Sequence, residues 1–351
     1  MRESSVPGSG SESSQLRGGP SALEGGGAAD GLVLAVDIGG TKIAAGLVDG
    51  RGCVSGRSTV TTPAEGAQAV LAAAIELGRS VCDAAGVSPV AVGVGSVGVI
   101  DARRGVVTQV ADAPPGWVGT DVAGALRAAF GVPSFAINDA HAHGLGEARF
   151  GAGQGVSSLL VVVVGTRVGG ALLRDGRLVS GGHFAAGQLG HLPVPEAAGV
   201  ACPCGREGHA EAVASGHGIV NEFRRAAAAR GAGDRPDYAV DDARSVSQKA
   251  REFSAVGELA KAVLNRSGHA LGRSIGMVLN MCDPDLVILT GGVAENSAVW
   301  ARGVAAGIAR EALPWVADCR VSVARLGADA ALIGAAAEAR DRALLSQGLA
   351  G

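Results

Sequence analysis

From Leu32 onward the chain alternates between short aliphatic runs and longer stretches with apolar residues at helical spacing. Leu32 to Val36 predicts a strand, which runs into the turn Asp37-Ile38-Gly39-Gly40-Thr41-Lys42. Ile43 to Val48 predicts a second strand, closed by the hairpin signal Asp49-Gly50-Arg51-Gly52. A helix is expected over Ala67–Ala85, a buried strand over Val90–Val94, and a helix over Ala123–Phe130. Ser134 to Ile137 reads as a strand and Ala140 to Arg149 as a helix.

The opening theme then returns. Leu159 to Val164 is a β-branched run that ends in Gly165-Thr166-Arg167-Val168-Gly169-Gly170, and Ala171 to Leu173 comes back as a strand before the turn Asp175-Gly176. Two strand–Gly/Thr turn–strand units in one chain predict a duplicated α/β fold with two facing lobes. Arg230 to Ser245 is polar and reads as a loop or insertion. Leu259 to Leu279 predicts a long amphipathic helix, Leu286 to Leu289 a strand running into Gly291-Gly292, and Ala330 to Leu345 a closing helix. Residues 1–30 are rich in Gly, Ser and Glu without apolar periodicity and read as a disordered tail, too short and polar for a helix-turn-helix domain.

Composition narrows the class. The 351 residues are 47% hydrophobic, enough for a sizeable core and two domains. Only 3% are aromatic, so the core is built from small aliphatic residues that suit close helix–sheet packing. A net charge of −3 argues against a nucleic-acid partner bound by a strong positive field. The six cysteines include one close pair, Cys202 and Cys204, which favours a reducing cytoplasm over a disulfide scaffold. No run approaches the ~20 apolar residues of a membrane helix, and the N-terminus lacks a signal-peptide core.

Candidate chemistry lies at the strand ends. Asp37 is followed by two glycines, a hydroxyl at Thr41 and a cation at Lys42. Glycine lets backbone N–H groups approach an anion, and a carboxylate beside such a cradle suits Mg²⁺ shared with phosphate. An ordinary hairpin turn is the plainer reading of that segment alone. Gly165-Thr166 and Gly169-Gly170 offer a second clamp on the same phosphates, and Gly291-Gly292 a floor for a base or ribose. Asn138-Asp139 stands between a strand and a helix, where either residue serves as a helix cap or Asp139 as a general base. His191, Cys202, Cys204 and His209 make a compact set of two thiols and two imidazoles, fit for tetrahedral zinc or, more plainly, a loop with free thiols.

The chain resembles the ROK family (repressors, open reading frames and kinases) over about residues 32–340. The resemblance is carried by Asp37-Ile38-Gly39-Gly40-Thr41-Lys42, by Asn138-Asp139-Ala140, and by Gly187-Gln188-Leu189-Gly190-His191 with Cys202-Pro203-Cys204-Gly205-Arg206-Glu207-Gly208-His209-Ala210-Glu211. It implies two RNase H-like lobes of the actin/hexokinase type with an interlobe cleft. The N-terminal lobe would span 31–139, closed by a C-terminal helix at 330–346, and the C-terminal lobe with a zinc loop 140–329. It implies ATP-dependent phosphorylation of the 6-hydroxyl of a hexose or amino sugar, of the glucose, N-acetylmannosamine or kanosamine type, with Asp139 as base. Asn138, Gln188, His191 and Glu211 would bind sugar. Asp37, Gly39, Gly40, Thr41, Lys42, Gly165, Thr166, Gly291 and Gly292 would hold Mg-ATP. His191, Cys202, Cys204 and His209 would hold structural zinc, and the protein would be a cytoplasmic homodimer.

The chain also departs from the family pattern. Gln188 stands where many members carry a sugar-binding Glu, Arg167 replaces a glycine of the second phosphate motif, and His209 replaces a cysteine. Val97 replaces a proline, and Ala113 stands where relatives often have a sugar-binding Asn ahead of Pro115-Gly116-Trp117. Several sugar positions are changed while the base and first phosphate turn are intact, which predicts altered substrate choice rather than a dead enzyme. The family includes sugar-sensing repressors, so a regulatory or non-catalytic sugar-binding protein is the alternative.

Overall fold

The structure, a computed structural model, describes residues 31–111, 114–293 and 297–346. The expected tail at residues 1–30 and the change at Ala113 lie outside the described residues. The chain opens with β1 (Val33–Ile38), β2 (Lys42–Val48) and β3 (Val54–Thr61), followed by α1 (Ala67–Ala85). Next come β4 (Ala91–Ser96), β5 (Val99–Asp101), β6 (Val106–Gln109), α2 (Val122–Phe130), β7 (Ser134–Asn138) and α3 (Asp139–Phe150). The second half holds β8 (Ser158–Val164), β9 (Val168–Arg174) and β10 (Arg177–Leu178). It continues with α4 (Glu211–Ala214), α5 (Gly216–Ala228), α6 (Ala243–Lys249), α7 (Ala255–Cys282) and β11 (Leu286–Thr290). It closes with α8 (Ala298–Glu311), β12 (Arg320–Val323) and α9 (Ala330–Ser346).

The two five-stranded sheets have the same plan. One is ordered β3-β2-β1-β4-β7 and the other β10-β9-β8-β11-β12. In each, the first three strands form an antiparallel meander and two later strands add in parallel to its first strand. The Gly/Thr turns at residues 39–41 and 165–167 are therefore equivalent points, the β1–β2 and β8–β9 hairpin tips. The duplication expected from the sequence is present in the topology.

Parallel strands explain where the site lies. Asp37, Gly95 and Ile137 stand in register across β1, β4 and β7, so the carboxyl ends of three neighbouring strands converge there. The crevice outside such ends is the usual ligand site of an open α/β sheet. β1 and β4 are nearly all buried and apolar, as a strand covered on both faces must be.

Helices α3 and α9 join the two halves. Helix α9 lies on β4 and β1, while α3 packs on β9, β8 and α9. Small residues allow it: a Cβ at Gly334 would overlap the Ala142 carbonyl, and one at Gly146 would overlap that of Ala330. The buried Glu147 carboxylate then fixes the approach to α9 by accepting the amides of Ala152 (2.8 Å), Arg325 (3.0 Å) and Leu326 (2.8 Å).

The sequence reading needs two corrections. Arg230–Ser245 is not wholly a loop, because α6 starts inside it at a reciprocal cap between Asp242 and Ser245. Gly169 and Gly170 do not form a phosphate clamp but lie within β9, where a Cβ at Gly169 would crowd Ala140 (2.7 Å) and one at Gly170 the Gly187 carbonyl (2.6 Å). Among the described residues no helix is long and apolar enough to cross a membrane.

Candidate active site

Asp139 is the first residue of α3, where the helix dipole favours a negative charge. Its Oδ1 accepts the Ala140 amide and the Asn138 Nδ2, both at 2.8 Å. Asn138 is the cap: its Oδ1 accepts the His141 amide (3.1 Å), and its Nδ2 also donates to the Gly98 carbonyl (2.9 Å). The pair thus divides its two expected uses. Asn138 caps and steers, and Asp139 is held with one oxygen doubly bonded. Burial raises the Asp139 carboxyl to about 6 against those stabilising bonds.

Asp37 is its neighbour. Between them stands Gly95, where a Cβ would lie 3.5 Å from Asp37 Oδ1 and 3.7 Å from the Asp139 Cα. Burial first, then the charge of Asp139, push Asp37 up to about 7, with Lys42 and Arg57 opposing. No donor among the described residues hydrogen-bonds the Asp37 carboxylate, so its charge is uncompensated by any close dipole. A divalent cation would supply that compensation.

The hairpin tips fit an anion. The Gly39 amide closes its own turn on the Lys42 carbonyl (3.0 Å), and Thr62 Oγ1 pins the Gly39 carbonyl (2.8 Å). The amides of Gly40 and Thr41, and that of Thr166 across in the second tip, bond no described residue. A Cβ at Gly40 or Gly165 would meet none of the described residues within 4 Å, so these glycines leave space beside the turns. Of the expected phosphate and nucleotide glycines only Gly291 has positive φ (104°), and it packs tightly against the Val164 backbone. Room beside the turn, rather than backbone strain, is what Gly40 and Gly165 provide.

His191, Cys202, Cys204 and His209 come together as expected. Their ligand atoms all lie within 4.8 Å of one another, with His191 Nδ1 3.7 Å from Cys202 Sγ and His209 Nδ1 3.2 Å from Cys204 Sγ. Tetrahedral zinc, with bonds of about 2.0–2.3 Å, sets its ligands roughly 3.5 Å apart, so the donor set fits. Gly205 and Gly208, both at positive φ with open surroundings, turn the loop. Burial raises the Cys202 thiol to about 11, a cost that a bound cation would reverse.

Glu211 ties this loop to the second hairpin tip. It is 3% exposed and accepts the Val168 amide at 3.0 Å. Its other oxygen lies 3.4 Å from Arg167 Nη1 and 4.0 Å from Cys202 Sγ. Arg167 therefore points to the expected sugar carboxylate. Gln188 immediately precedes the short helix Leu189–His191, partly exposed, and its backbone carbonyl accepts the His191 amide (3.1 Å). Trp117, kept from the family pattern, is a core residue whose Nε1 donates to the Val97 carbonyl (3.2 Å).

The sequence reading passed over His143. It lies four residues beyond Asp139 on α3, on the same helix face. Its buried Nδ1 has no hydrogen-bond partner among the described residues, and burial together with Lys42 lowers the imidazole to about 4, leaving it neutral. The spacing from Asp139 was the available signal.

The family model for the ROK family matches residues 33–342. A glucokinase of Streptomyces coelicolor is 30% identical over 320 residues, covering 89% of this chain and 98% of that protein. An N-acetylmannosamine kinase of Salmonella paratyphi A is 31% identical over 318 residues, covering 90% and 98%. Among solved structures, a ROK family glucokinase from Streptomyces griseus in complex with glucose and AMPPNP superposes with a TM-score of 0.76. It is 29% identical and covers 89% of this chain and 100% of that one.

Proposed function

The chain belongs to the ROK family, and on that premise we propose that it is a sugar kinase that transfers the γ-phosphoryl group of ATP to the 6-hydroxyl of a hexose or amino sugar. The observation that carries this reading is Asp139 and Asp37 on either side of Gly95 at the carboxyl ends of β7 and β1, with Asp37 leading directly into the first glycine-bordered hairpin tip.

Asp139 acts as general base. Its Oδ1 is fixed by Asn138 and Ala140, which leaves the second oxygen to take the hydroxyl proton. The sugar oxygen forms its bond to the γ-phosphorus as the bond from that phosphorus to the β–γ bridging oxygen breaks, and ADP leaves with the electron pair. The open amides of Gly40, Thr41 and Thr166, with Lys42, hold the phosphates and meet the charge that develops on them. Asp37 would hold Mg²⁺, which when bound neutralises phosphate charge. His191, Cys202, Cys204 and His209 would hold zinc, a structural cross-link that fixes His191 and Glu211 beside the sugar.

The changed sugar positions favour a hexose other than plain glucose, with an N-acetylated or amino hexose first. Gln188 keeps an acceptor, adds a donor and removes a charge. The test is ADP release, measured by a coupled assay, on glucose, N-acetylmannosamine and kanosamine with metal-loaded protein. Turnover on at least one is expected, with a preference of tenfold or more among them on the order set by one hydrogen bond. No turnover on any hexose or aminohexose overturns the reading. Sugar binding without nucleotide binding would mark a non-catalytic relative instead.

A further inference from the structure

We propose that the cavity between the β5–β6 turn, α2 and α9 is a second anion site, which takes a phosphate group between Arg104, Arg127 and Arg342, away from the catalytic carboxylates. The inference goes beyond the kinase reading and does not depend on it.

Local structure brings the arginines together. The β5–β6 turn, residues 102–105, closes with the Gly105 amide on the Asp101 carbonyl (2.7 Å). Gly105 has positive φ (73°), and a Cβ there would overlap that of Ala123 at 2.1 Å, so the turn is seated on the first turn of α2. Arg127 stands at i+4 from Ala123, on the same helix face. From the other side α9 supplies Arg342. Its guanidinium lies over the Phe135 ring, 4.7 Å from the centroid, and its Nη1 donates to the Ala102 carbonyl at 2.6 Å.

The result is a cavity of about 60 Å³ lined by Arg103, Arg104, Arg127 and Arg342, with Ser134 and Phe135 of β7. That is about twice the roughly 30 Å³ one water occupies in the liquid, room for a tetrahedral oxyanion and not for a nucleotide. No carboxylate is among the lining residues. Glu338 Oε1 stands 4.0 Å from Arg342 Nη1, but among the described residues no carboxylate comes that near the guanidinium groups of Arg104 or Arg127. Asp101 turns its Oδ1 to the Arg103 amide (3.1 Å), and the Arg103 guanidinium lies over Phe184, 5.3 Å from the ring centroid, so the other three arginines face the cavity as its cations. Like charges gathered around one space repel, and here they gather in a chain of net charge −3. An oxyanion between them turns that repulsion into attraction, and the planar guanidinium fork matches phosphate oxygens. The cavity lies at the amino end of β7, while Asn138 and the catalytic carboxylates stand at its carboxyl end, ~13 Å along the strand. A phosphate bound here is not the one transferred.

Calorimetric titration of inorganic phosphate into the full chain tests it, in low-salt buffer free of phosphate and sulfate, with Mg²⁺ and AMPPNP saturating so that the kinase site is filled. Phosphate should bind, and more weakly as sodium chloride is raised. Arg104→Gln and Arg127→Gln should each weaken it about tenfold, the value of one charge-assisted hydrogen bond, and Arg127→Lys should recover part of the loss. Both positions are exposed and far from the kinase site, so kcat and KM for ATP should match those of the parent; circular dichroism checks that each variant is folded. Glucose 6-phosphate distinguishes the sources. Binding tighter than that of the free ion, and lost with the arginines, supports the site with a phosphate monoester as its ligand, and weaker binding supports it with the free ion. A parent that takes up no phosphate overturns the proposal. So do glutamine variants that bind phosphate as the parent does, or that lose ATP affinity in proportion, which would trace the signal to the kinase site. Should AMPPNP fail to bind, the kinase reading suffers, while the arginine variants still locate the phosphate.

Discussion

Asp37 and Asp139 stand on either side of Gly95, and the charge of Asp139 helps lift Asp37 to about 7 while burial alone accounts for most of the rise of Asp139 to about 6. This sets a pH dependence. A general base works only when ionised, so kcat/KM should be level above the Asp139 value and fall about tenfold per pH unit below about 6. Initial rates at limiting sugar and saturating Mg-ATP, from pH 5 to 8.5, read this limb directly. A profile flat to pH 5 would contradict the assignment. Asp139→Asn should lower kcat by at least about a hundredfold and leave sugar affinity near that of the parent.

The same pair makes the site costly to fold. A carboxyl raised from 3.8 to about 7 binds its proton more tightly folded than unfolded. Its contribution is therefore most favourable below 3.8 and is lost as the pH rises through about 7. Asp37→Asn removes the penalty. In metal-free protein at pH 8 it should raise stability by roughly 1–2 kcal/mol after solvent screening, or about 2–5 °C in Tm. The gain should shrink toward zero near pH 4, while activity is lost at every pH. Calorimetric melts of parent and variant at the two pH values check the sign.

Much of this was legible in the sequence, and for definite reasons. Ala67–Ala85 is a helix with the predicted bounds because its apolar spacing is regular and Gly86 ends it in the left-handed conformation. The zinc set was legible because its four residues lie within a short stretch of chain. Two kinds of information were hidden. β3, with all but its first residue exposed, carries no apolar alternation and forms only because β2 offers it an edge. The contact between Arg167 and Glu211 could not be read because the two are distant in sequence and brought near only by the fold. The role of Gly169 and Gly170 was misread for a related reason. Glycine needed for packing and glycine needed for a ligand look alike until the neighbour is known.

The zinc set makes a prediction about stability. Freshly purified protein should contain about one zinc per chain by elemental analysis. A strong chelator, or Cys204→Ser, should lower Tm and raise KM for the sugar more than KM for ATP, because His191 belongs to the cluster, Glu211 lies against it, and the first hairpin tip is tied elsewhere. Equal effects on both KM values would mean that the cluster does not position the sugar site. A metal-free, fully active protein would remove it from consideration.

Substrate choice should respond to position 188. Gln188→Glu puts a carboxylate at a position proposed to contact the sugar and exchanges two donors for acceptor capacity. It should raise kcat/KM for glucose relative to the preferred hexose by about tenfold, the value of one charge-assisted hydrogen bond. The ratio of kcat/KM values for the two sugars is the measure, since it cancels any change in active fraction. An unchanged ratio would place Gln188 outside the sugar contacts.

Two glycines should separate folding from nucleotide binding. At Gly334 a Cβ would overlap the Ala142 carbonyl where α9 crosses α3, and neither backbone can yield without disturbing the sheet beneath it. Gly334→Ala should therefore cost about 1–3 kcal/mol, the usual range for overpacking, and lower Tm by several degrees. At Gly40 a Cβ would meet nothing within 4 Å, and the residue is not at positive φ. Gly40→Ala should leave Tm unchanged or slightly higher, since it narrows the unfolded ensemble. It should nevertheless raise KM for ATP several-fold, because the added methyl stands beside the open amides of Gly40 and Thr41. Paired melts and ATP saturation curves decide both cases. If Gly40→Ala leaves KM for ATP unaltered, the first hairpin tip is a turn and not a phosphate cradle.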